Sequence, residues 1–149
     1  MSQFGAPLPN PVSESTAVEI VRKEGSAHSW KVLGTIPAGN IVKLTSSGLI
    51  QTVGTEDPTD IFGVLLYAGV SGTPQTAIRG WVRAFWDGIA SGGTITPGFE
   101  LSLSYTLSGW VTGGNASGAL TSIGFYNPLI GGGNLGATNS GTLIPLELY

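Results

Sequence analysis

The sequence predicts an all-β domain, a small barrel or sandwich with an extended N-terminal arm, and three observations carry that expectation. Short runs rich in Val, Ile and aromatic residues recur from Thr16 onward, and clusters of Gly, Pro, Ser or Asp separate most of them. Gly 24 and Pro 9 together exceed a fifth of the 149 residues while hydrophobic residues still make up 41%, so the chain is rich in turns yet apolar enough to fold. Cysteine is absent, so packing alone must hold the domain, with neither disulfides nor thiolate metal sites. A chain of this length fits one domain, which buries roughly 70% of the surface its unfolded form exposes.

The first segment, 1–15, carries Pro7, Pro9 and Pro11 and no periodic pattern, which predicts an extended arm unable to join the middle of a sheet. Phe4, Leu8 and Val12 recur in it at four-residue spacing, apolar side chains that a solvated tail has no use for. A single β domain is expected over 16–149. TAVEIVRKE, from Thr16 to Glu24, has enough β-branched residues to favour a strand over a turn or two of helix. SWKVLG, NIVKLT, LIQTV and IFGVLLYAG follow as further strands.

Between Ala77 and Asp87 the pattern alternates. Ile78, Gly80, Val82, Ala84 and Trp86 fall on one side, small and apolar like a core face, and Arg79, Trp81, Arg83 and Phe85 on the other. TIPAGNIVKLT, from Thr35, aligns without gaps on TITPGFELSLS, from Thr94, and each copy is followed by a polar turn and a second strand, which predicts two related hairpins. Residues 113–140 read as Gly-rich loops, and LIPLEL closes the chain as a last strand.

The formal net charge of -3 offers no field to attract phosphate backbones, so a nucleic-acid partner is not expected. No basic region followed by an apolar run opens the sequence, and no stretch approaches the ~18 apolar residues of a membrane span, so synthesis in a cytoplasm and no membrane partner are expected.

Catalytic apparatus is not visible. His28, in GSAHSW, reads as a surface turn histidine, and no G-x-S-x-G turn supplies a nucleophile. Glu56, Asp57 and Asp60 match no EF-hand spacing, and a turn at Pro58 accounts for them. GGGNLG satisfies G-x-G-x-x-G in letters, but turn residues and a strand follow it where a dinucleotide fold needs a helix. Asn115 matches a glycosylation acceptor without a secretory signal. No catalytic, cofactor-binding or metal-ligating residue is assigned, no cofactor is expected, and the chain is not expected to be an enzyme.

What the sequence does offer is adhesion. Only 10% of residues are charged, and from Leu101 to Leu146 there is no Asp, Glu, Lys, Arg or His, whereas soluble domains are about a quarter charged. A second protein surface covering the last third accounts for this. Arg79, Trp81, Arg83 and Phe85 combine guanidinium groups with large aromatics, the types enriched at interface centres. Two other readings of that row stand beside it: Trp81 and Phe85 covering a second small core while the arginines pair with Asp87 or Glu100, or a stacking platform for sugar rings.

AGNIVKLTSSGLIQTV, IFGVLLYAGVSG, TAIRGWVRAFW, GGTITPGFELSLS and a closing LIPLEL, in that order, resemble the small head-decoration, or capsid cement, proteins of tailed bacteriophages. The resemblance covers roughly residues 35–104 and 141–148. It implies a compact small β-barrel or β-tulip-like domain that forms a homotrimer on the outer surface of the virion and clamps neighbouring major capsid protein subunits, with an arm that orders on the shell. The interface residues expected on this reading are Phe4, Pro7 and Leu8 of the arm and Arg79, Trp81, Arg83 and Phe85. The alternative is a carbohydrate- or receptor-binding β module of a virion fibre or spike, using Trp81, Trp86 and Trp110.

Overall fold

The computed structural model describes residues 27–54, 61–114, 121–128 and 132–149. The arm over 1–15 and the strand predicted over Thr16 to Glu24 lie outside them. The described residues are all-β, with a single 3-10 turn at Ala137–Asn139. Their strands are β1 (Ala27–Lys31), β2 (Ile41–Leu44), β3 (Ile50–Thr52), β4 (Ile61–Leu65), β5 (Pro74–Ile78), β6 (Gly80–Ala90), β7 (Thr94–Ile95), β8 (Glu100–Leu103), β9 (Val111–Gly113), β10 (Ser122–Tyr126), β11 (Leu135–Gly136) and β12 (Leu143–Leu148).

They form two units. An antiparallel sheet has the order β1-β5-β4-β2-β3, and β10-β12-β6-β9-β8 close into a barrel, while β7 and β11 pair with each other. In the barrel only β6 and β9 run parallel. Register shifts at Trp86/Ala90 and Ser122/Gly124 bend the strands where the barrel must curve.

One core spans both units. Trp86, Leu101, Val111, Ile144 and Leu146 fill the barrel, and Ile41, Val53 and Val64 of the sheet side join them. Val42 and Leu65, one residue along from Ile41 and Val64, turn to the opposite face and pack with Val32, Ile36, Ile50 and Ala77. A sheet buried on both faces needs no polar alternation, which is why IVKL and IFGVL place apolar residues in succession.

Two sequence expectations change. TAIRGWVRAFW is two strands, because Gly80 stands at φ 86, a left-handed conformation that costs other residues about 1–2 kcal/mol. Arg79 braces the break, donating from Nη1 to the Ile61 carbonyl at 2.7 Å. The chain thereby leaves the sheet at Ile78 and enters the barrel at Gly80. Residues 113–140, expected as loops, supply the barrel strand β10 and the short β11. Four of β10's five residues are apolar, aromatic or Gly, enough for a strand once its neighbours are in place.

The internal repeat is structural. Asn40 N–H closes a turn on the Pro37 carbonyl and Phe99 N–H closes one on the Thr96 carbonyl, with Gly39 and Gly98 at φ 93 and 88. Ile36 and Ile95, at the same place in each copy, are both buried. Each turn leads into a hairpin, β2 with β3 and β8 with β9. The copies also touch, since Ile41 N–H donates to the Gly109 carbonyl at 2.8 Å.

Candidate interaction surface

Alternation along β6 sends Val82, Ala84 and Trp86 into the core and leaves Trp81 and Arg83 exposed on the outer wall of the barrel. The register with β12 sets Trp81 opposite Glu147, Arg83 opposite Pro145 and Phe85 opposite Leu143. Trp81 is 39% exposed, and its indole N–H donates to the Asn127 carbonyl at 2.9 Å, which fixes the ring against the barrel. The Arg83 guanidinium lies 6.0 Å from the centre of that ring. Such a contact contributes about 0.5–1 kcal/mol when exposed.

The four β6-row residues separate into three roles. Trp81 and Arg83 form one surface pair. Phe85 is half-buried and stacks on Trp110 at 5.1 Å and 21° between ring planes, so it covers a small satellite of the core. Arg79 is a strut at the strand break, and burial pushes its pKa down from the usual arginine value. Phe4, Pro7 and Leu8 lie outside the described residues.

Neither arginine is neutralised by Asp87 or Glu100. Asp87 is buried, accepting from the Ile89 N–H and from the Ser104 hydroxyl, each at 2.8 Å. Glu100 accepts from the hydroxyls of Tyr149 and Ser122. Among the described residues neither arginine has an ion-pair partner, and Arg83 is the exposed one of the two.

An apolar groove of about 300 Å³ runs between sheet and barrel beside this pair. Val64, Leu65, Leu66 and Ile78 make its sheet wall, and Trp81, Val82, Arg83 and Leu143 its barrel wall. Beyond its rim Tyr67 and Val70 are exposed on the loop after β4, at 65% and 54%. Sequence reasoning did not single out Leu66, Tyr67, Val70 or Leu143. The signal was present in IFGVLLYAGV, an apolar run longer than the strand it feeds: β4 ends at Leu65, and beyond it only Leu66 N–H, on the Thr76 carbonyl at 2.8 Å, and Gly69, bridged to Ile36, keep cross-strand bonds, while the side chains of Leu66, Tyr67 and Val70 stay exposed.

The remaining candidates resolve simply. His28 sits within β1, paired in register with Ala77, and not in a turn. Trp86 is sealed in the barrel with its indole N–H on the Gly136 carbonyl at 3.1 Å, so it is no part of a surface platform, and Trp110 has one face taken by Phe85. Glu56, Asp57, Asp60 and Asn115 lie outside the described residues. Among the described residues no group of three or more His, Cys, Asp or Glu side chains gathers, and no helix is long and apolar enough to cross a membrane.

Compared with known proteins, the chain matches no protein-family model and no curated protein sequence.

Proposed function

We propose that this chain is a structural virion protein that binds the outside of a phage capsid as a homotrimer and stabilises contacts between major capsid protein subunits. The observation that carries the reading is an adhesive surface: the exposed Trp81 and Arg83 pair, the apolar groove beside it and the uncovered Leu66, Tyr67, Val70 and Leu143. Aromatic and Arg side chains next to apolar pockets are the composition of energetic centres in protein interfaces. The resemblance of strand order and turn sequences to capsid cement proteins supplies the partner.

Binding energy alone performs this function, and no side chain need act as acid, base or nucleophile. Each subunit makes modest contacts, and once one subunit of a trimer has docked the others bind intramolecularly at high effective concentration. A shell repeats the same site many times, so weak contacts add to a large restraint on shell expansion.

Light scattering on the purified protein and co-sedimentation with undecorated phage heads test the proposal together. A trimer that co-sediments supports it. A monomer that ignores heads overturns it and leaves the glycan-binding module as the reading to pursue, through sugar-dependent changes in tryptophan fluorescence.

A further inference from the structure

We propose that the homotrimer is a ring in which Gly98 and Glu100 of each copy dock against Lys31 and the Gly48 turn of the next, repeating between chains the contact that joins the two units within one. The inference rests on the homotrimer reading and adds the surfaces that would make it.

The duplication reaches beyond the two hairpins. The sheet order β1-β5-β4-β2-β3 and the barrel order β6-β12-β10-β8-β9 are one arrangement. In each the first strand lies antiparallel to the last, Lys31 opposite Pro74 corresponding to Phe85 opposite Leu143. In each it also meets the strand at the far end of the order in parallel, Val32 with Ile50 and Trp86 with Val111. The framing bonds agree as well. Val32 N–H donates to the Thr73 carbonyl and Gly72 N–H to the Val32 carbonyl, as Trp86 N–H donates to Thr142 and Gly141 N–H to Trp86. Ile36 bridges to Gly69 as Ile95 pairs with Leu135, and Gly48 and Gly109 hold the hairpin turns at φ 78 and 79. One five-stranded unit is thus built twice, with Gly80 at the joint.

The two units meet through unlike faces. The first offers the turn into β2, where the Gly39 carbonyl accepts from Phe85 N–H at 3.3 Å and Ile41 N–H donates to the Gly109 carbonyl at 2.8 Å. The second offers β6 and the turn between β8 and β9. A contact between unlike faces leaves the counterpart of each face unused, and such head-to-tail contacts close into rings when the rotation permits. Gly98 and Glu100 are the counterparts of Gly39 and Ile41, exposed where those two are buried. Lys31 and Gly48 are the counterparts of Phe85 and Gly109, Lys31 exposed and Gly48 half-buried.

Charge selects a second copy as the occupant. The places filled within the chain by Ile41 and Phe85, both apolar, are filled on the unused faces by Glu100 and Lys31, which are opposite in charge. Neither has an ion-pair partner among the described residues. Two copies set by the internal contact bring these side chains together, and three copies make a ring of six units. The docking residues are not among those lining the groove, nor do they include Trp81 or Arg83, so the ring leaves that surface to the shell.

Light scattering on full-length variants tests the ring, with circular dichroism to check folding. The unaltered protein is expected to have the mass of three chains. Lys31→Glu and Glu100→Lys are each expected to weaken the trimer at least roughly tenfold, because like charges then face each other. The two substitutions in one chain are expected to restore it, and Arg83→Glu, outside the docking faces, to leave it intact. Lys31→Glu breaks no side-chain bond among the described residues, so its result stands even where Glu100→Lys disturbs Tyr149. A trimer untouched by Lys31→Glu, or weakened as much by Arg83→Glu, overturns the ring contact and leaves the homotrimer reading in place. An unaltered protein that is a monomer overturns both. Loss in the single variants without recovery in the double variant overturns the pairing of Lys31 with Glu100, and a mass that climbs past three chains with concentration overturns closure in favour of an open filament.

Discussion

The Ser104 hydroxyl donates to Asp87 Oδ2 at 2.8 Å, and through this bond a buried carboxylate on β6 holds the start of the β8–β9 hairpin loop. Ser104 Oγ in turn accepts from the Thr106 and Leu107 N–H groups, while Asp87 Oδ1 accepts from Ile89 N–H. One acidic side chain thus sets the shape of two backbone segments across the barrel.

Asp87→Ala leaves the Ile89 N–H and the Ser104 hydroxyl without their acceptor in a buried place. A loss of about 1–3 kcal/mol is expected, the penalty for an unsatisfied buried polar group. Urea denaturation measures it, and an unchanged midpoint would show that water replaces the carboxylate.

Trp81 and Trp86 lie five residues apart on one strand and have opposite consequences. Trp86→Ala empties the barrel core and is expected to cost about 3–5 kcal/mol. Trp81→Ala is expected to leave the denaturation midpoint nearly unchanged while weakening trimerisation or head binding. Comparable unfolding by both variants would return Trp81 to the core and remove it from the interface.

Gly39 and Gly98 occupy the same turn of the two hairpin copies, yet their surroundings differ. A Cβ at Gly98 meets nothing within 4 Å, so Gly98→Ala is expected to cost only the left-handed backbone term of about 1–2 kcal/mol. A Cβ at Gly39 would stand 2.4 Å from Leu143 Cδ2 and 3.4 Å from Phe85. Gly39→Ala is therefore expected to be the more harmful, and Leu143→Ala in the same chain to recover the difference. Equal costs at the two glycines would count against the contact.

Tyr149 holds its proton more tightly than a free tyrosine, chiefly through desolvation and then through its hydrogen bond to Glu100. Burial raises the Tyr126 pKa as well. A raised pKa in the folded state means stability present below the ordinary tyrosine value of 10.0 and lost as pH rises through the folded value. The stability that these two phenols contribute should therefore decline as pH rises above that point. Tyr149→Phe should blunt the pH dependence and remove one late-titrating phenol from the ultraviolet absorbance titration.

Removal of residues 1–15 is expected to leave a folded domain, with unchanged circular dichroism, that binds heads poorly. Full binding by the shortened chain would take Phe4, Pro7 and Leu8 out of the mechanism.

The fold class was readable because turn chemistry and β-branched runs are local, and β2, β3, β4, β8 and β12 fall within the runs that predict them. The repeated turn was readable too, since a Gly at positive φ leaves a mark in sequence. What escaped was the partition of strands between sheet and barrel. That choice rests on Gly80 and on the Arg79 bond to Ile61, a contact eighteen residues apart that no window of sequence contains. β10 escaped because Gly and Ser dilute its pattern, and it is a strand by virtue of β8 and β12 on either side. At the interaction surface, alternation picked out Trp81 and Arg83 correctly as outward-facing, but the groove needs β4, β6 and β12 to converge and has no local signature.

β12 lies between β10 and β6, pairing Leu143 through Leu148 with a strand that begins at Gly80. A ribosome makes these residues after every other part of the barrel. Until they emerge, β6 and β10 face an empty slot, and the hydrophobic interior of the barrel stands open along one seam. Closure across so long a loop is slow compared with hairpin formation. The sheet and its hairpins can therefore form on the nascent chain before the barrel does, since the barrel closes only once β12 has emerged and reached both β6 and β10.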